Sequence, residues 1–177
     1  MQYGKLDFKP AEDDLQLASE PTARAIADQN LKSIFISAID ASLADTGAFC
    51  EQYAIGLDVS ANCVIVKAKR GEKVTYAAIM VRATDQADVN GVIRRTLDAK
   101  KVSFAPMDEA TSLSGMEYGG INPIGLPADW PILVDEKVAA LDKAIIGSGI
   151  RASKLLVAGT LLASLPNAKV LDLIKAS

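Results

Sequence analysis

The sequence contains no histidine, which removes His-based triads, imidazole metal sites and histidine general bases as classes. Chemistry is left to Lys, Asp, Glu, Ser, Thr, Cys and backbone groups. No G-x-S-x-G, phosphate-loop signature, dinucleotide fingerprint or paired metal motif is present. The densest punctuation is GMEYGGINPIGLPADWP, residues 115–131, where four glycines and three prolines fall within 17 residues. Gly119, Gly120 and Gly125 can bend the chain around a ligand while Pro123 and Pro127 limit its motion, and such a loop can turn backbone N–H groups into a concave surface. A purely architectural loop is the alternative. Lys67 and Lys69 share a strand face by the two-residue period and read as a solvated edge pair with Arg70. Cys63, inside an apolar run, reads as a packed thiol. Asp135 and Glu136 follow an apolar run and fit a turn or helix cap, or a grip on a substrate amine or nucleic-acid end. Arg94 with Arg95, and Arg151 with Lys154, are either local phosphate contacts or solvated charges.

The elements that position these residues follow from periodicity. Pro21 to about Ser42 carries apolar residues at helical spacing and predicts one long helix, broken at most once, behind a loose polar start. Thr46–Ala54 fits a second short helix presenting Phe49, Tyr53 and Cys50 to the core. NCVIVKAK (62–69) and VTYAAIMVR (74–82), separated by RGEK, predict a hairpin. Asp88–Leu97 looks helical, Val102–Ala105 extended, and Met107–Leu113 helical after Pro106. Ile132–Asp135 predicts a strand, Val138–Ala144 a helix or turn, and Lys154–Ala158 a further strand. A short helical face around Leu161, Leu162 and Leu165 follows, and KVLDLIK closes as strand or helix.

The chain has 177 residues, half of them hydrophobic, enough for one globular domain spanning 1–177 with a helical N-terminal segment and a substantial core. The formal charge of -3 gives no global attraction for nucleic acid, although a local basic patch is compatible with it. Two cysteines without CxxC spacing suit a reducing, cytoplasmic setting. No run approaches the roughly 20 apolar residues of a membrane span, so a soluble protein without a membrane partner is expected.

The run Val102-Ser103-Phe104-Ala105, then Glu109-Ala110, Leu113-Ser114-Gly115, GGINPIGLP and finally Pro131-Ile-Leu-Val-Asp135 resembles the bacterial free-standing aminoacyl-tRNA deacylases. The editing domain inserted in some bacterial prolyl-tRNA synthetases is of the same family. The resemblance runs from about Glu51 to Leu171 and implies an α+β (mixed α/β) fold, with a curved mixed sheet surrounded by helices. It implies a cleft for the aminoacylated 3′ end of tRNA, not DNA, and hydrolysis of the ester of a mischarged tRNA carrying a small amino acid. No metal or organic cofactor is required, because placed donors can position water and stabilise an oxyanion.

The positions matching the family's loop are Gly119, Gly120, Ile121, Asn122 and Pro123. With Asn62 and Gly120 as the catalytic candidates, the substrate-binding candidates are Gly119, Ile121, Asn122, Pro123, Gly125, Asp135 and Ser148. In the family a lysine normally begins the strand that Asn62-Cys63-Val64-Ile65 matches here. Asn62 can donate a hydrogen bond but carries no charge. Lys67 lies five residues on, roughly 16 Å along an extended strand and on its opposite face. Two other readings stand beside hydrolysis: a catalytically weak module binding an aminoacyl-tRNA end or small ligand, and a structural domain forming a homodimer through an apolar sheet edge.

Overall fold

A two-residue alternation of apolar side chains sets the architecture of the computed structural model, which describes residues 1–176. Three short strands open the chain, β1 (Gln2–Tyr3), β2 (Leu6–Asp7) and β3 (Lys9–Pro10), before α1 (Glu20–Asp28), β4 (Phe35–Ala38) and α2 (Thr46–Tyr53). The long hairpin β5 (Ala61–Arg70) and β6 (Lys73–Arg82) is followed by a π-helical turn, Val89–Ile93, that runs into α3 (Arg94–Thr96). Then come β7 (Lys101–Phe104), α4 (Met107–Ser114), β8 (Ile132–Asp135), α5 (Glu136–Ala139) and β9 (Ala144–Gly147). The chain closes with β10 (Ser153–Val157), α6 (Gly159–Ala163) and β11 (Ala168–Leu171).

Nine of these strands form two sheets. The larger has the order β11-β8-β6-β5-β7, with β8 parallel to both its neighbours and β5 antiparallel to β6 and β7. The smaller, β3-β4-β10-β9, is antiparallel throughout. They meet where Ser60 bridges Ile145, whose N–H donates to the Val59 carbonyl at 2.9 Å. The fold is therefore α+β with mixed strand directions, as the sequence implies, although its strands divide between these two sheets and a small β1–β2 pair instead of forming one sheet.

Strand alternation distributes the core. Ile65, Met80 and Val134 of the large sheet and Ile36, Ile146 and Leu155 of the small one share the central layer. Their sequence neighbours Val66, Ile79 and Leu133 face a second cluster closed by Ile93 and Leu173. Ile145 and Leu156 face a third, where Phe49 and Cys50 of α2 meet Leu6 and Phe8. Each fully buried Ile or Leu contributes roughly 1.5–3 kcal/mol of transfer free energy, so both sheets are covered on two sides.

Two expectations are corrected. The helix expected from Pro21 to about Ser42 stops at Asp28, because Asn30 and Ser33 adopt φ of 51° and 62°, which a right-handed helix cannot contain. Beyond them Ile34 and Ile36 enter the central core while Phe35 packs on the other side, a strand's period. The opening residues are not loose: Leu6, Phe8 and Ala11 are buried, and K-L-D-F-K already alternates. Residues 144–147 form β9, the inner edge of the cleft described below; the helix or turn expected over Val138–Ala144 is met by the end of α5 and the turn after it, and gives way to the strand at Ala144.

Candidate functional site

A cleft of about 450 Å³ opens where the two sheets meet. One wall is the start of β5, Asn62 to Ile65. A second is the entry to α2, where Asp45, Thr46 and Phe49 face the space. The floor comes from Ile145, Ile146 and Gly147 of β9 with Lys154 of β10, and Tyr118, Gly119 and Ile121 form the third side. Phe104 and Tyr118 line it while remaining more than half exposed, at 65% and 56%, so the mouth carries two aromatic rings.

The polar groups of the cleft are held by contacts across it. Thr46 Oγ1 donates to Asn62 Oδ1 at 2.8 Å, which leaves the amide of Asn62 as its donor end. Arg151 Nη1 reaches both the Tyr118 carbonyl, 3.3 Å, and Asp45 Oδ1, 3.4 Å, while its backbone N–H donates to Glu117 Oε1 at 2.8 Å. It thereby ties the Tyr118–Gly119 loop to the start of α2. Gly119 has φ of +86°, which favours glycine, and a Cβ there would push the Arg151 guanidinium aside.

Lys154 is the unusual group. Only 7% of the residue is exposed, and its ammonium donates to the Ala44 carbonyl at 3.0 Å and lies 5.0 Å from the centre of the Phe49 ring. Among the described residues it forms no ion pair. Burial is the main reason its pKa falls from 10.5 to about 8. Burial likewise pushes the Cys63 thiol up, to about 12, which makes it a poor nucleophile, although the residue is half-buried and lines the cleft where a packed thiol was expected.

Of the sequence-derived candidates, Asn62, Gly119 and Ile121 line the cleft. The others stand behind it. Asn122 is fully buried, its amide nitrogen donating to Thr22 Oγ1 at 3.0 Å and its oxygen accepting from the Ile124 N–H at 2.7 Å, so it fixes the loop to α1. Pro123 is buried beside it, and Gly125, at φ +98°, packs on the Pro21 carbonyl. The Gly120 N–H is taken by the Glu117 carbonyl, 3.0 Å, and a Cβ there would lie 2.7 Å from the Ile150 carbonyl oxygen. Asp135 caps α5 through Lys137 N–H at 3.0 Å and accepts from Leu173 N–H at 2.9 Å. Ser148 is buried against Ser153, Oγ to Oγ 2.6 Å. None of these six faces the cleft: five brace the loop and strands beside it, and Asp135 braces α5 and the Leu173 backbone.

Lys67 is not a plain solvated charge. Its ammonium pairs with Glu109 Oε1 and Oε2 at 3.0 and 2.9 Å, and Tyr76 donates to the same carboxylate. Tyr76 and Lys67 together hold Glu109 below the usual carboxylate range. Sequence reasoning passed over Thr46 and Phe49 as site residues and read Lys154 only as a phosphate contact or a solvated charge. The signal for Lys154 was a lysine set in the apolar strand run S-K-L-L-V; its burial depends on Ala44, 110 residues away.

The family model of the aminoacyl-tRNA editing domain matches residues 40–165, which takes in α2, the β5–β6 hairpin, the glycine-rich loop and β8 to β10. The chain belongs to the aminoacyl-tRNA editing domain family. A proline–tRNA ligase of Lactobacillus gasseri is 36% identical to this editing-domain chain over 73 residues, 40% of the chain and 13% of the ligase. The chain thus matches only a small part of that relative. A solved structure described as a proposed trans-editing enzyme for prolyl tRNA synthetase superposes with a TM-score of 0.76 at 17% identity, covering 89% of this chain and 99% of the other. A hypothetical protein of known structure gives 0.77 at 18% identity, covering 88% and 100%. At those identities the likeness is one of fold.

Proposed function

We propose that this editing-domain chain hydrolyses the ester bond of a mischarged aminoacyl-tRNA carrying a small amino acid, with the aminoacylated 3′ end entering the cleft beside Asn62. The observation that carries the reading is the cleft itself: an apolar floor and walls with a few placed polar groups, in the region spanned by the family match. The similarity to part of a proline–tRNA ligase supports proline tRNA as the first carrier to test.

Hydrolysis adds water to the acyl carbon, breaks the bond to the ribose oxygen and leaves free amino acid and intact tRNA. Asn62, with its oxygen engaged by Thr46, presents its amide to the ester or the ribose. Gly119 and Ile121 border the space for the amino acid, which Phe49, Ile145 and Ile146 also line, and a small amino acid is the side chain this reading assigns to it. Ser148, Asn122, Pro123, Gly125, Gly120 and Asp135 act through the shape of the walls. The chemistry needs no histidine and no resident cofactor, since electrostatic positioning of water and oxyanion is sufficient.

A binding module without turnover is the second reading, favoured by the uncharged Asn62. Release of amino acid from a panel of correctly and incorrectly charged tRNAs, including Ala- and Cys-charged proline tRNA, separates the two. Release above the spontaneous ester rate supports hydrolysis, whereas retention of the charged tRNA without release favours binding.

A further inference from the structure

A buried ammonium with no carboxylate partner is costly, and such groups persist where a ligand or a reaction uses them. Lys154 is one. It lies on β10 between Ser37 of β4 and Gly147 of β9, and on the β9 side no side chain covers it. Of its three N–H donors, the Ala44 carbonyl takes one. The charged groups around it are Asp45, already engaged by Arg151, and Arg151 itself, with the Cys50 thiol of α2 also close by. Its ammonium sits over the Phe49 ring, and it borders the same cleft as Asn62.

We propose that Lys154 contacts the substrate directly, its ammonium donating a hydrogen bond to the carbonyl oxygen of the aminoacyl ester and holding the negative charge that develops there when water adds. This rests on the ester-hydrolase reading above. The water oxygen bonds to the acyl carbon, the bond from that carbon to the ribose oxygen breaks, and one water proton ends on the ribose hydroxyl. The second water proton leaves with the carboxyl group and passes to solvent, and Lys154 keeps its own three protons. A cation in a low-dielectric wall, already oriented by Ala44 and Phe49, needs no reorganisation as charge appears. Its depressed pKa is consistent with a site that has no permanent anion.

The test is single-turnover deacylation of the best substrate by wild type, Lys154→Met, which keeps the stem volume, and Lys154→Ala, assayed with and without millimolar ethylammonium or n-propanol. Lys154→Met is expected to lose about 100-fold in rate with an undiminished Tm, and Lys154→Ala to recover at least tenfold with ethylammonium but not with n-propanol. If wild type is active and Lys154→Met stays within threefold of it, or if n-propanol rescues as well as ethylammonium, the assignment is overturned in favour of a packing role. If Lys154→Met unfolds, the rescue of Lys154→Ala decides alone, and failure to rescue a folded Lys154→Ala overturns the assignment. A wild type that cleaves no ester defeats the functional reading itself, and the assignment falls with it.

Discussion

Thr46, the first residue of α2, donates its hydroxyl to Asn62 Oδ1 at 2.8 Å, across the cleft from one wall to the other. The bond fixes which end of the Asn62 amide faces the open space, and so converts a neutral side chain into a directed donor. Asn62→Ala is expected to lower single-turnover deacylation about 100-fold, the scale for removing one donor to a developing oxyanion. Thr46→Val, which frees the amide to rotate, should cost less, about tenfold. Equal activity in wild type and Asn62→Ala would take Asn62 out of the chemistry.

Arg151 and Gly119 give a second prediction. Replacing Gly119 by Ala places a Cβ against the guanidinium and asks a non-glycine residue to hold φ of +86°, which costs about 1 kcal/mol or more in backbone strain. The Tyr118–Gly119 loop should shift off Arg151, weakening binding of charged tRNA while the fold persists. Comparison of Kd for a non-hydrolysable aminoacyl-tRNA analogue with Tm checks this; unchanged Kd would separate the loop from recognition.

Asn122 predicts a stability effect in place of a catalytic one. Its amide meets Thr22 and the Ile124 N–H in a fully buried setting, and Asn122→Ala leaves the Ile124 N–H without its acceptor, while Thr22 keeps Ser19 and the Ile124 carbonyl, at a cost of about 2 kcal/mol. Urea denaturation should report that loss, with deacylation by the folded fraction falling far less than in Asn62→Ala.

Lys154 predicts the pH dependence of stability. Its pKa is lower in the fold, about 8, than its ordinary 10.5, so between these values the unfolded chain binds more protons and stability rises with pH. Below about pH 8 the destabilisation is fully present, roughly 3 kcal/mol by the linkage relation. Cys63 opposes the rise above its ordinary 9.0, because the fold keeps its thiol protonated up to about 12. Chemical denaturation should therefore show a gain between pH 8 and 9 in wild type that is missing in Lys154→Met. A flat wild-type profile there would mean that the ammonium is solvated.

Legibility in the sequence tracked how local each signal was. The β5–β6 hairpin was readable because two β-branched runs flank RGEK, and the register Asn62 to Val81 through Arg70 to Lys73 follows from that turn. The stretch from Pro21 to Ser42 misled because Ile34 and Phe35, spaced for a helix from Ile26 and Leu31, also fit a strand, and only the left-handed Asn30 and Ser33 separate the two. The glycine-rich loop was visible as a site element, yet the direction of each residue was not: Gly119 and Ile121 face the cleft while Asn122 turns to α1, set by Thr22 100 residues away. Lys154 became a site residue only through contacts with Ala44 and Phe49, which no spacing in the sequence reveals.

The most direct measurement is single-turnover release of alanine from Ala-charged proline tRNA by purified wild-type protein, with Asn62→Ala alongside and the spontaneous rate subtracted. Release well above the spontaneous rate by wild type, falling about 100-fold in Asn62→Ala, is the result predicted for ester hydrolysis in this cleft. Release at the spontaneous rate, for this and every other charged tRNA in the panel, would contradict it.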